Sequence, residues 1–237
     1  MWGYYIMGII LLPGLLLATW AQINVHSTFN AFNKKYAKSN ITAAQLVSML
    51  ANAAGMTNLQ ITRTSGELTD HYDSRTKNLA LSTATHDSTS VAALGIACHE
   101  FGHALQDKAS YTPMRVRQLL IPITNFASSM LMPLVTLGLI FSFATAGESL
   151  AGTIFLWAGI IVFGGAVLVN LVTLPVEFNA SKRALKLLSQ TEVLDQEELQ
   201  GAKKVLRAAA LTYLAALLVS ILSLLRFLIV ALARRND

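Results

Sequence analysis

The chain has 237 residues, 54% hydrophobic and 13% charged, with a mean hydropathy of +0.51. Ordinary soluble domains carry about 25% charged residues, so an all-soluble globular protein is excluded and much of the apolar surface is expected to lie in lipid. The single cysteine, Cys98, excludes a disulfide framework, a cysteine-based zinc ribbon and an iron–sulfur site, and the formal charge of +5 is read as cytoplasmic loops rather than as a nucleic-acid surface.

A bilayer core of about 30 Å needs roughly 20 apolar helical residues. The first such stretch, Tyr4 to Trp20, is short and contains Pro13. Met1-Trp2-Gly3 has no Lys or Arg and Trp20-Ala21-Gln22 is a poor cleavage site, so residues 1–21 are expected to be a retained anchor rather than a signal peptide. Residues 22–118 form a polar unit. Within it, Thr42 to Asn52 has helical spacing with Thr42 as cap, and Leu59–Arg63 and Leu79–Ser82 alternate like short strands, with a turn at Ser65-Gly66. A further helix is expected from the caps at Ser88 to Ser90 through VAALGIACHEFGHALQ.

Leu119–Ala146 and Leu150–Val176 are uncharged and separated only by Gly147-Glu148-Ser149, so residues 119–176 read as a transmembrane hairpin. A basic segment, 177–207, leads to a last span within 208–237, apolar from Ala208 to Ala233 apart from Arg226. Nine cations fall in residues 21–118 and six in 177–207, against none in the 147–149 turn. The positive-inside rule then puts both basic segments in the cytoplasm and the turn and termini outside.

The chemistry is concentrated in His99-Glu100-Phe101-Gly102-His103, an H-E-x-x-H pattern. Residues four apart on a helix differ by about 40° in azimuth and about 6 Å along the axis, so both imidazoles can reach one ion at about 2.0 Å. Any metal must be held by His and carboxylates, since cysteine ligands are lacking. Glu100 is placed to contact a water on the metal and to act as general base. The bland alternative is a chance match on a packed helix; the uncharged Phe101, Gly102, Ala104 and Leu105 argue for burial, and a buried His pair needs partners.

A catalytic zinc keeps three protein ligands. His26, His71, His86, Asp70, Asp73, Glu148 and Glu177 are the candidates for the third. The expected topology puts Glu148 a membrane thickness away from His99, whereas the hairpin returns Glu177 to the same face; its alternative is an exposed carboxylate at the end of a span. Asp70-His71-Tyr72-Asp73 offers His71 or Tyr72 as donor to a developing oxyanion, or else is a polar turn whose aspartates cap backbone groups. His86 and Asp87 read as capping residues, and Cys98 as a small core residue.

HEFGHALQ, followed after two spans by EFNAS, resembles the Glu-zincin membrane peptidases, and LTDHYD at 68–73 narrows the resemblance to the YugP-like neutral zinc metallopeptidases. The resemblance covers most of the chain. It implies one zinc per chain, with His99, His103 and Glu177 as ligands and Glu100 as base. Related membrane peptidases have Glu-x-x-x-Asp at the third ligand; here Ser181 occupies the last position and Asn179 stands where relatives often have Asp.

The expected molecule is a mainly α membrane protein of about four transmembrane helices, with a small α+β zincin-like unit at the membrane surface. It would sit multi-pass in the cell membrane and hydrolyse peptide bonds of membrane or membrane-associated proteins from the cytoplasmic side. Its partners would be such a peptide or membrane-protein substrate and the bilayer, with no nucleic acid. Two other classes fit in part. A non-catalytic metal-binding scaffold or regulator would not require Glu100, and a transporter would use Asn125, Ser128, Ser129 and Asn170 as its path, although such residues more often join helices.

Overall fold

The computed structural model describes residues 9–126, 129 and 150–233. In chain order the elements are α1 (Leu12–Asn33), α2 (Ala43–Ala53), β1 (Gln60–Thr64), β2 (His71–Asp73), β3 (Asn78–Ser82), α3 (Val91–Lys108), α4 (Leu150–Gln190) and α5 (Gln196–Ala233). Residues 112–126 are also helical. Two compact units divide the chain: residues 1–20, 115–174 and 213–237 in one, and 21–114 with 175–212 in the other.

In the first unit, helices approach closely through glycine. Gly14 faces Val219 and Leu222, Gly159 faces Phe227, and Phe163 stacks on Phe227 with ring centroids 4.8 Å apart. Among the described residues two helices are long and apolar enough to cross a membrane, Thr153–Gln190 and Gln196–Ile229. They contain the third and fourth expected spans. The second, with Glu148 at its end, falls largely outside the described residues. Residues 1–8 of the expected anchor lie outside the described residues; among those described, α1 is not one of the two and its helix continues past residue 21. Pro13 sits in its first turn, where a missing N–H costs no helical bond, and the helix runs on to Asn33 because Ala21, Val25 and Phe29 bury one stripe at a spacing of four.

The second unit contains the sheet and the buried core. Thr42 and Gln45 form a capping box at the start of α2, whose residues Ala43, Leu46, Val47, Leu50 and Ala51 line one buried face. Gly55, at φ +64°, ends that helix just beyond its cap. Ser90 caps α3 by accepting from the Ala93 N–H. This helix is buried on nearly every side, which accounts for its small residues: Gly95 lies against Ala202, and Gly102 against the backbone of Ala180.

The sheet order is β1-β3-β2, with β3 parallel to β1 and antiparallel to β2. The expectation of two strands with a turn at Ser65-Gly66 is therefore corrected. The stretches 60–64 and 78–82 pair in parallel, Ile61 opposite Leu79, and the intervening His71-Tyr72-Asp73 is itself a strand. The tight turn lies between β2 and β3. Asp73 Oδ1 accepts from the Arg75 N–H at 2.9 Å, an Asx-type turn, and Lys77 takes a left-handed φ of 53° to enter β3. As the central strand, β3 is almost wholly buried, with Leu79 and Leu81 packed in the same core as Leu46, Leu94, Phe101 and Leu188.

Candidate metal centre

The centre is built by α3 and the C-terminal part of α4, both in the second unit. One helical turn separates His99 from His103, and their rings meet edge to face with centroids 4.8 Å apart. On α4, Glu177 faces both: Oε2 lies 3.1 Å from His99 Nε2 and 3.5 Å from His103 Nε2. All three side chains are shielded from solvent, with exposures of 13%, 9% and 4% for His99, His103 and Glu177. One ligand atom from each lies within 4.8 Å of the others.

Tetrahedral coordination at about 2.0–2.1 Å per bond puts donor atoms about 3.3 Å apart. The separations of 3.1 and 3.5 Å bracket that value. The donor set of two imidazoles and a carboxylate is the open, three-ligand kind that leaves a fourth position for water or substrate, so the residues fit a zinc ion. The close packing that brings the donors together depends on Gly102. A Cβ there would come within 2.7 Å of the Ala180 carbonyl oxygen, so a larger residue would hold the two helices apart.

Around the donors lie neutral partners. Ser181 Oγ is 3.1 Å from His99 Nδ1, and Gln106 Oε1 is 2.9 Å from His103 Nδ1. Fully buried, Gln106 also donates through Nε2 to the Val176 carbonyl at 2.8 Å and to Asn179 Oδ1 at 3.1 Å. The sequence reading missed Gln106. Its signal was a polar residue three positions beyond His103, on the same side of the helix. Ser181, which replaces the aspartate of related motifs, thus has a hydrogen-bonding place of its own.

Glu100, adjacent to His99 on α3, is not one of the clustered donors. Burial raises the pKa of its carboxyl above the ordinary glutamate range, against the opposing pull of His103 and His99. For His103, burial favours the neutral ring, but the hydrogen bond to Glu177 and the charge of Glu100 outweigh it and the net direction is upward.

The structure brings His99, His103 and Glu177 together and, among the described residues, leaves the other ligand candidates out of that cluster; Glu148 lies outside the described residues. His26 lies exposed on α1 beside Gln22. His71 is exposed, its Nδ1 against the Thr69 carbonyl at 2.9 Å. Tyr72 donates its hydroxyl to Asp107 Oδ2 at 2.6 Å, and Lys77 Nζ meets the same oxygen at 2.5 Å. Burial and that acceptor raise the pKa of the Tyr72 hydroxyl. Asp70 accepts from the Ser82 N–H at 2.8 Å and from Thr85 Oγ1 at 3.3 Å. His86 pairs with Asp87, which is held by Arg63 at 2.7 Å. Cys98 is buried in the core.

Residues 7–232 match the protein family described as "Putative neutral zinc metallopeptidase". The chain is 38% identical over 226 residues to the "Putative membrane protease YugP" of Bacillus subtilis (strain 168), a match that spans 95% of this chain and 96% of that one. No solved structure matches it.

Proposed function

We propose that this chain, which belongs to the neutral zinc metallopeptidase family, is a membrane-embedded zinc endopeptidase acting on membrane or membrane-associated proteins and peptides. The observation that carries the reading is the convergence of His99, His103 and Glu177 donor atoms within 4.8 Å, with Glu100 beside them on the same helix. A scaffold would need the three donors but not that carboxylate.

When bound, zinc supplies Lewis-acid polarisation of the scissile carbonyl and a water acidic enough to be deprotonated near neutral pH. His99, His103 and Glu177 hold the ion and leave one side open. Glu100 takes the proton of the attacking water on a carboxylate oxygen and delivers it to the leaving amine. Its desolvated setting favours that exchange, because a carboxyl with a raised pKa holds the proton between the two transfers. Strand β2 lies at an edge of the sheet and packs on α3, so an extended substrate can add beside it through main-chain hydrogen bonds.

The two long apolar helices and the name of the Bacillus relative support a membrane setting. The distribution of cations supports a cytoplasmic active site, with nine in residues 21–118 and six in 177–207. The test is Glu100→Gln in the purified chain, assayed for peptide hydrolysis and for metal content, with chelation and zinc restoration of the wild type alongside. Hydrolysis should disappear while about one zinc per chain remains; activity within about tenfold of wild type would remove the base from Glu100.

A further inference from the structure

Gln106 connects the two halves of the metal centre. A peptide carbonyl can only accept a hydrogen bond, so the amide end facing Val176 must be the NH2 end. The second acceptor of that NH2, Asn179 Oδ1, agrees with this orientation, since it also accepts from Arg183 Nε at 2.8 Å. What remains for His103 is Oε1, an acceptor, at 2.9 Å from Nδ1. Nδ1 must then carry a ring hydrogen, which leaves Nε2, facing Glu177 and the open side of the centre, as the nitrogen whose lone pair a metal would take in place of a proton. The other two bonds fall on residues 176 and 179, either side of the third ligand.

We propose that Gln106 is the positioning residue of the metal centre: it fixes the tautomer of His103 and ties that ligand to the turn of α4 that carries Glu177, so that donors from two helices meet one ion in a set geometry. This rests on the metal-centre reading. A glutamine that is fully buried is costly unless its amide is satisfied, and here every polar atom of the side chain is used on the site. Partners of this kind orient ligating imidazoles in zinc sites generally, and losing one typically costs about 10–100-fold in metal affinity.

The full chain in detergent micelles is titrated with zinc against a chromophoric chelator. Gln106→Met keeps the side-chain volume but loses all three hydrogen bonds, and should bind zinc about 10–100-fold more weakly than wild type. Gln106→Glu returns an acceptor to Nδ1–H and should bind more tightly than Gln106→Met. A role in packing alone predicts the reverse order, since glutamate buries a charge where methionine does not. Nitrogen-15 spectra of the zinc-loaded wild type need no variant, and should show His103 protonated at Nδ1 and coordinated through Nε2. A loss smaller than about tenfold in Gln106→Met, Gln106→Glu binding no better than Gln106→Met, or coordination of His103 through Nδ1 each overturns the proposal. Wild type that binds no zinc, or undiminished binding by His103→Ala, overturns instead the metal-centre reading beneath it.

Discussion

Gly102→Ala adds one methyl group to the middle of the metal helix and should loosen the centre without touching a ligand. The new Cβ would lie 2.7 Å from the Ala180 carbonyl oxygen and 3.2 Å from its C and Cα. Ordinary contact begins near 3.4 Å, so α3 and α4 would have to part by about 0.7 Å, the difference between 3.4 and 2.7. The obstructing atoms are backbone, and no rotamer change relieves them. Overpacking costs about 1–3 kcal/mol; this case belongs at the upper end, and about 1 kcal/mol returns through the better helix propensity of alanine. Net, about 2 kcal/mol remains, or roughly a thirtyfold change in an equilibrium. Ala180 lies one turn from Glu177, and a metal site tolerates errors of only about 0.2 Å in its bond lengths. Zinc affinity, measured by chelator competition, should therefore fall about thirtyfold. Gly95→Ala is the control: its Cβ would meet the side chain of Ala202 at 3.3 Å, an overlap of about a tenth of an ångström, and zinc binding should be unchanged. Gly102→Ala with zinc affinity within about threefold of wild type would refute the argument that this contact sets the donor spacing.

Glu177→Ala should lose both metal and activity, whereas Asp70→Ala and Asp73→Ala should keep the metal; full zinc in the first with loss in an Asp variant or in His71→Ala would move the third ligand to residues 70–73. Tyr72→Phe should cost about 1–2 kcal/mol of stability through the lost bond to Asp107 and leave zinc in place, as thermal unfolding and metal analysis would register. A fall of more than about a hundredfold in kcat at unchanged stability would instead put that hydroxyl on the reacting carbonyl. A cysteine at position 148, in a Cys98→Ala background, should react with an impermeant reagent from outside intact cells; labelling of a cysteine at position 77 would invert the orientation.

What could be read in the sequence was what local spacing determines. The two histidines lie four apart on one helix, so their convergence follows from the helical period. No local spacing points to Glu177: connectivity does, since two apolar stretches return the chain to the face of His99, and so does the resemblance carried by EFNAS. Strand β2 was not legible: three polar and aromatic residues carry no alternation, and the parallel pairing of Ile61 with Leu79 is a non-local choice made by burial of β3. The extension of α1 was hidden for a related reason. Its buried stripe of Ala21, Val25 and Phe29 is one residue wide and set among polar neighbours, so composition pointed to a loop where the period pointed to a helix. Gln106 belongs to no ligand motif, since an amide is not a zinc donor of this kind, and its contacts with residues 176 and 179 are set by the packing of two helices distant in sequence.

The partners that surround the donors have a consequence for charge balance. Ser181 and Gln106, which touch the outer nitrogens of the two imidazoles, are both neutral. A divalent cation seated among neutral rings would therefore be matched by two nearby carboxylates, Glu177 and Glu100, and the filled pocket would carry no net charge at rest. When Glu100 takes the proton of the attacking water, the protein groups with the cation would become one unit positive, which balances the negative charge passed to the carbonyl oxygen of the substrate. An aspartate at position 181 would cancel that surplus, so a hydroxyl there leaves the pocket most attractive to an anion when the reaction makes one.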